Sequence, residues 1–138
     1  MRTRVTEEAE GPRALVVDGD EATLRLLELK LSRAGFQTGT ASDGEDGYLK
    51  ARAFGPDVII IGDTLGPLDS HSLVRAVAEL PADPAMVFLS SREGGEEIDR
   101  ALRAGCDDYV LKPFSPHELV HRVRVVLSRR RIATERNE

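Results

Sequence analysis

Cysteine and aromatic residues are scarce in this chain of 138 residues, and both shortages limit what it can be. Cys106 is the single cysteine, which excludes an intrachain disulfide and a cysteine metal cluster and is typical of a reducing compartment. Aromatic residues make up 4%, so the core must be mainly aliphatic. No apolar run approaches the ~20 residues of a membrane span, and residues 1–11 lack the apolar stretch of a signal peptide. We therefore expect a cytoplasmic protein.

Basic residues are fewer than acidic ones, with 19 lysines and arginines against 24 aspartates and glutamates. The formal net charge is −5, which argues against a dedicated nucleic-acid-binding surface in this chain. The basic run Arg129–Arg131 lies where a helix is predicted to end, and cations there complement the helix dipole. We favour that interpretation over a nucleic-acid patch.

Short apolar runs alternate with amphipathic, helix-like stretches along the rest of the chain. Continuous apolar runs of this kind are typical of parallel strands covered on both faces. The runs are Ala14–Val17, Phe36–Ala41, Val58–Ile61, Met86–Leu89 and Tyr109–Leu111. Five strand–helix units predict an α/β fold with a doubly wound, five-stranded parallel sheet, a (βα)5 flavodoxin-like architecture. We predict one domain over residues 13–130, between a disordered tail (1–12) and a C-terminal tail or linker (131–138).

Helix boundaries are marked by capping residues. Gly35 and Gly105 follow apolar helical patterns and predict helix ends, and Asp69 is the predicted N-cap of the third helix. Ser115 and Pro116 predict the start of the fifth helix, with proline at its first position. His71, in the third helix, is interpreted as a surface residue, and His117 and His121 as part of a solvated face.

Four residues lie at or just past the carboxyl ends of predicted strands: Asp18, Gly62, Ser90 and Lys112. Ligand sites of open parallel sheets lie at that edge. Phosphoryl transfer to a carboxylate needs a nucleophile, a divalent cation, a lysine for the phosphoryl oxygens and a hydroxyl donor. Asp18, Ser90 and Lys112 supply an acid, a hydroxyl and a cation, whereas Gly62 supplies no nucleophile. Taken alone, Lys112 would be interpreted as part of a strand-end turn. Because Asp18 and Ser90 also lie at strand ends, we favour a lysine that lies in a pocket.

These residues also carry a family resemblance. From Arg13 to about Arg130, the chain resembles the receiver domain of bacterial two-component response regulators. The matching stretches are Val16–Asp18, Pro56–Ile61, Leu89–Ser91 and Gly105–Phe114. The continuation Ser115–Leu119, with Arg122, is most similar to the OmpR/PhoB class. The resemblance implies a receiver fold, a role in phosphorelay signal transduction, no enzymatic activity of its own, and a cis peptide bond before Pro113.

Two departures from the family pattern affect its chemistry. The family's adjacent pair of magnesium-binding acids falls on Asp18 and Gly19, and its phosphoacceptor position falls on Gly62. Ser90 and Tyr109 match the switch hydroxyl and aromatic residue, and Lys112 matches the invariant lysine. With these departures, the resemblance implies a pseudo-receiver that acts by protein–protein interaction, independently of phosphorylation. No cofactor is expected, apart from weak magnesium binding at Asp18.

Asp63 supports an alternative. It lies one residue after Gly62 and would be a displaced phosphoacceptor, phosphorylated by a histidine kinase with magnesium. A one-residue shift points a strand side chain to the opposite face, unless a bulge at Gly62 re-aims it. We favour the interpretation of Asp63 as an exposed loop acid. A further alternative is a doubly wound small-ligand-binding module, although Asp20 and Glu21 would repel a phosphate near Gly19.

A partner surface is predicted on the fourth helix, fifth strand and fifth helix. Regulators of the OmpR/PhoB class form a symmetric dimer through charge pairs on this surface. The matching residues are Asp107, Asp108, Glu118, Arg122 and Arg129. Ile98 and Arg103 stand where opposite charges are expected, so any homodimer should be weak.

Overall fold

The computed structural model of the chain describes residues 11–65 and 67–137. These residues form five strands and five α-helices in strict alternation. The strands are β1 (Arg13–Val17), β2 (Gln37–Ala41), β3 (Val58–Gly62), β4 (Ala85–Ser90) and β5 (Asp108–Leu111). The helices are α1 (Glu21–Arg33), α2 (Gly44–Phe54), α3 (Pro67–Ala78), α4 (Gly95–Ala104) and α5 (Pro116–Asn137), with a 3-10 turn at Asp63–Leu65.

The strands form one parallel sheet in the order β2-β1-β3-β4-β5. The predicted doubly wound, five-stranded sheet is therefore confirmed. The chain proceeds from β1 to β2 on one side and then crosses to β3 on the other side of β1. This reversal opens a crevice between the carboxyl ends of β1 and β3, which is where such sheets bind ligands.

Both faces of the sheet are covered, which explains why the two central strands β3 and β4 are buried at every residue. One core packs α1 and α5 against strand side chains such as Val16, Ile60 and Leu89. The other packs α2, α3 and α4 against side chains such as Leu15, Ile61 and Phe88.

Most of the predicted helix boundaries are confirmed. Gly35 and Gly105 follow α1 and α4 with φ values of 100° and 128°, in the region that glycine tolerates. α5 begins at Pro116, and the amide of Glu118 donates to Ser115 Oγ at 3.3 Å. The prediction for α3 was wrong, because the helix begins at Pro67 and Asp69 lies in its first turn instead of at its N-cap.

His71 is buried, contrary to the prediction of a surface residue. It lies one turn before Val74, on the stripe of α3 that faces the sheet, and its ring centroid is 5.3 Å from that of Phe88. His117 and His121 are exposed.

The predicted domain boundaries can be compared with the helices and strands only in part. β1 begins at Arg13, where the predicted domain begins, and the predicted tail lies outside the described residues except for Gly11 and Pro12. The Gly11 carbonyl accepts a 2.9 Å hydrogen bond from Gln37 Nε2. At the other end, α5 continues to Asn137, past the predicted boundary at Arg130. In the described part of the chain, no helix has the length and apolar character needed to cross a membrane.

Candidate functional site

Two carboxylates and one ammonium group meet at the carboxyl edge of the sheet. Asp18 follows β1, Asp63 follows β3 and Lys112 follows β5. Lys112 Nζ lies 3.1 Å from Asp18 Oδ2 and 3.3 Å from Asp63 Oδ1. The side chains are shielded from solvent, with exposed fractions of 0% for Asp18, 15% for Asp63 and 17% for Lys112. The cluster carries a formal charge of −1, because Asp63 adds a second carboxylate to the acid and the cation, Asp18 and Lys112, that the sequence predicts at this edge.

Asp63 is not an exposed loop acid, and that part of the sequence interpretation was wrong. β3 ends at Gly62, and the chain enters a 3-10 turn at Asp63. The strand rule that neighbouring side chains point to opposite faces ends with the strand. The turn therefore aims the Asp63 carboxylate into the site, and a β-bulge at Gly62 is not needed for this.

The Asp63 carboxylate is held by four donors. Oδ2 accepts hydrogen bonds from the Ser91 amide at 3.0 Å, from Ser90 Oγ at 3.2 Å and from Ser91 Oγ at 3.2 Å. Oδ1 accepts from Lys112 Nζ. Burial raises the pKa of Asp63, but the Ser91 amide and the Lys112 charge outweigh it and hold that pKa below its ordinary value. Asp63 is therefore stabilised as an anion.

Asp18 is held from the opposite side. Its Oδ1 accepts from the Asp20 amide at 2.8 Å and from the hydroxyl of Thr64. Thr64 Oγ1 in turn accepts from the Gly19 amide at 2.7 Å. With Lys112 on Oδ2, every oxygen of this fully buried carboxylate has a partner.

Gly62 and Gly19, the two predicted points of departure, both lie at the site. Asp18 occupies the space in which a side chain at Gly62 would begin: its Cγ is 2.6 Å from the position of an ideal Cβ on Gly62. A Cβ on Gly19 would lie 3.0 Å from the Thr64 carbonyl oxygen. Asp20 does not replace the acid missing at Gly19, because its carboxylate accepts from Thr23 Oγ1 at 2.6 Å and caps α1.

Ser90 and Tyr109, the predicted switch residues, are joined by a chain of hydrogen bonds. Ser90 Oγ donates to Asp63 and accepts from the Arg92 amide at 3.0 Å. The Arg92 carbonyl accepts from the Tyr109 hydroxyl at 2.7 Å. The Tyr109 ring stacks on Phe88, with centroids 5.7 Å apart. The chain of contacts therefore extends from the Asp63 carboxylate to β5. The Lys112–Pro113 peptide bond is cis, as the resemblance implied.

The charges predicted to form a dimer surface make contacts within the chain. Arg122 Nη1 lies 3.1 Å from both carboxylate oxygens of Asp108, and Arg122 Nε lies 3.2 Å from Glu118. Asp107 accepts from the Met86 amide at 2.8 Å and pairs with Arg130 at 3.0 Å. Arg129 is exposed.

Three contributors to the site escaped the sequence interpretation: Thr64, Ser91 and Arg92. Arg92 acts through its backbone amide and carbonyl, which any residue type supplies, so its identity carries no signal. Ser91 donates through both its amide and its hydroxyl. Thr64 follows Asp63 directly, and only the 3-10 turn brings its hydroxyl to Asp18. The one feature of the sequence that could have indicated Thr64 is its hydroxyl, which comes shortly after a strand that ends at the predicted pocket.

The fold and this site define an α/β protein with a doubly wound parallel sheet and a cluster of charged residues at its carboxyl edge. Comparison with known proteins specifies the family. A model of the response regulator receiver domain matches residues 14–124. The chain therefore belongs to the response regulator receiver domain family. The predicted family is confirmed.

The sequence relatives include regulators of the OmpR/PhoB class. The transcriptional regulatory protein PrrA of Mycobacterium tuberculosis is 40% identical over 130 residues, covering 94% of this chain and 54% of PrrA. The alkaline phosphatase synthesis transcriptional regulatory protein PhoP of Bacillus subtilis is 36% identical over 126 residues, covering 90% of this chain and 52% of PhoP. The chain thus spans about half the length of the curated relatives it matches.

Solved receiver domains share the fold. The Francisella response regulator 1452 receiver domain superposes with a TM-score of 0.79 at 30% identity, covering 86% of this chain and 98% of that one. A CheY-like receiver domain protein from Methanospirillum hungatei superposes with a TM-score of 0.82 at 21% identity, covering 88% and 98%.

Proposed function

We propose that this domain is a pseudo-receiver, a signalling module that acts by binding a protein partner without being phosphorylated. The observation that carries the proposal is the pair Gly62 and Asp18. Gly62, to which the motif pattern assigns the family's phosphoacceptor, has no side chain, and the Asp18 carboxylate fills the space where one would begin. A nucleophile is therefore missing from the family position.

The site also fits magnesium poorly. Mg²⁺ prefers carboxylates and waters in octahedral geometry, but each Asp18 oxygen is already hydrogen-bonded and Gly19 offers no carboxylate. The Lys112 ammonium already lies between Asp18 and Asp63. Among residues 11–65 and 67–137, no group of three or more potential metal ligands is present.

A second candidate function is a working receiver phosphorylated on Asp63. It is favoured by one observation: Asp63 lies inside the site, beside Lys112 and Ser90. However, the donors that would receive a transferred phosphoryl group already bind the Asp63 carboxylate itself. A phosphoryl group attached to Asp63 could bind Lys112, Ser90 and Ser91 only if the Asp63 carboxylate first gave up its hydrogen bonds to them. We therefore rank this function second.

Incubation with acetyl phosphate and magnesium, followed by intact-mass spectrometry, tests the choice. We expect no added phosphoryl mass on the wild-type protein, while a receiver that accepts phosphoryl groups gains it in parallel. A mass increase that disappears in Asp63→Asn would establish the second candidate. An increase that persists in Asp63→Asn would overturn both.

The proposed partner surface is formed by α4, β5 and α5. Tyr109 lies in β5, so the hydrogen-bond chain from Asp63 reaches this surface. A weak homodimer through this surface is one form of the proposal. Arg122→Glu would then shift any dimer toward monomer in sedimentation velocity, since it places a negative charge among Asp108 and Glu118. Arg25→Glu, on the exposed face of α1, is the matched control. An unchanged dimer in Arg122→Glu would place the interface elsewhere.

A further inference from the structure

The donors around Asp63 form a cradle suited to an anion. An ammonium group, two hydroxyls and one backbone amide converge on a single carboxylate, from Lys112, Ser90 and Ser91. Charged and dipolar donors fixed in a shielded site bind negative charge far more strongly than they do in water. Phosphoryl-transfer sites place a lysine against the phosphoryl oxygens, as Lys112 is placed in this cradle. Asp63 supplies two anionic oxygens to this cradle from within the chain.

We propose that Asp63 is a built-in anion that takes the place of a phosphoryl group in this cradle and holds the switch residues in one state. The inference rests on the proposed function, because a domain phosphorylated on Asp63 would need the cradle for the phosphoryl group. It adds a mechanism: the site is permanently occupied by its own carboxylate and needs no modification to fill it.

A chain of hydrogen bonds connects the Asp63 carboxylate in the cradle to Tyr109. Ser90 Oγ is oriented by donating to Asp63, and in that orientation it accepts the Arg92 amide. The Arg92 carbonyl then holds the Tyr109 hydroxyl. Removing the carboxylate frees the Ser90 hydroxyl to turn, which loosens Arg92 and so Tyr109. Asp63 thereby controls the side chain that lies between the site and the proposed partner surface.

The ion pair between Asp63 and Lys112 links the end of β3 to the end of β5. Lys112 bridges Asp63 and Asp18 with its single charge. Without Asp63, the same ammonium keeps Asp18 as a partner, so the buried Asp18 carboxylate is not stranded. The variant Asp63→Ala therefore empties the cradle with little disturbance of the core, which makes the proposal testable in the folded protein.

Nuclear magnetic resonance of ¹⁵N-labelled protein tests the proposal with four variants. In Asp63→Ala, the amide proton of Ser91 should move upfield because its carboxylate acceptor is lost, and the amides of Arg92 and Tyr109 should shift as well. In Ser90→Ala, Arg92 and Tyr109 should shift, while the Ser91 amide proton should lack the upfield movement seen in Asp63→Ala, since its bond to Asp63 remains and only its preceding side chain has changed. Asp63→Asn, which keeps the shape but not the charge, should show smaller shifts than Asp63→Ala. Asp69→Asn, an exposed carboxylate on α3, is the matched control and should leave all three amides in place.

Inorganic phosphate then probes the emptied cradle. Phosphate should return the Ser91, Arg92 and Tyr109 resonances of Asp63→Ala toward their wild-type positions, and sodium chloride at equal ionic strength should not. Resonances of Arg92 and Tyr109 that do not respond to Asp63→Ala, or an Asp63→Ala spectrum that does not respond to phosphate, would overturn the inference. Failure of the proposed function is seen separately, as a mass increase on the wild-type protein, so the two outcomes are distinguishable.

Discussion

The carboxylate of Asp18 lies where the side chain of residue 62 would be. Asp18 Cγ is 2.6 Å from an ideal Cβ on Gly62, closer than real Cβ contacts come. Asp18 cannot move aside freely, because Lys112, Thr64 and the Asp20 amide hold it. The observed position of the Asp18 carboxylate therefore depends on residue 62 having no side chain.

Gly62→Ala should destabilise the fold by about 1–3 kcal/mol, the usual cost of an added methyl group in a packed site. Urea unfolding measures the loss. Gly44→Ala is the control, since a Cβ on Gly44 meets no atom within 4 Å. The loss should shrink when Asp18→Ala is also present, because the clashing carboxylate is then gone. Equal losses in both backgrounds would show that Asp18 is not the obstacle.

Gly62→Asp should not make the domain a phosphoryl acceptor. The new carboxylate would start inside the volume of Asp18, and Gly19 would still offer no second acid for magnesium. Intact-mass measurement after treatment with acetyl phosphate should therefore show no added phosphoryl group. Stoichiometric uptake by this single variant would mean that Asp18 rotates away easily, contrary to its three contacts.

The depressed pKa of Asp63 predicts a specific acid sensitivity. Because the folded-state pKa lies below the ordinary value of 3.8, ionised Asp63 stabilises the fold fully above about pH 4, and this stabilisation is lost as the pH falls through the folded-state pKa. Asp63→Asn should remove that part of the pH dependence of the free energy of unfolding. In Lys112→Met, a cation that lowers the pKa of Asp63 is lost, so the acid transition should begin at a higher pH. Urea unfolding between pH 3 and pH 7 (a range chosen around the ordinary pKa) measures both effects, and identical profiles for all three proteins would contradict the assignment.

Arg122 and Asp108 should stabilise the fold as a pair within one chain. Both are partly exposed, so a coupling free energy of ~0.2–1 kcal/mol is expected. A double-mutant cycle with Arg122→Ala and Asp108→Ala, measured by urea unfolding at low and high salt, gives this energy. It should fall with salt, and Arg129→Ala should show no comparable coupling to Asp108. A coupling that appears only at protein concentrations where the chain dimerises would assign the pair to an interface between two chains.

Cys106 should react slowly with thiol reagents in the folded protein. Burial, with a smaller effect from the Asp107 charge, raises the pKa of its thiol to about 12. At pH 8 the thiolate is then about one molecule in ten thousand, and the thiolate is the reactive form. Labelling should become fast in urea, which serves as the internal control. Fast labelling of the native protein would show that the β5 end of the core opens readily.

The sequence by itself determined the fold and the elements that build the site. Apolar runs, helix-ending glycines and Pro116 mark the alternation of strands and helices, because backbone conformation responds to nearby residues. The position of Gly62 at the end of β3 could be predicted because it directly follows the apolar run that forms this strand. That alternation also places Asp18, Ser90 and Lys112 at one edge of the sheet, since parallel strands end on the same side.

Only the tertiary structure decided what those residues contact. The 3-10 turn after β3 aims Asp63 inward, although strand alternation predicts the opposite, because the alternation rule ends where the strand ends. His71 is buried because α3 turns that stripe toward Phe88, and polarity alone does not report which face a helix buries. Asp108 finds Arg122 within its own chain because β5 and α5 lie side by side. Each of these depends on where a side chain points relative to a distant segment, and no local pattern encodes that direction.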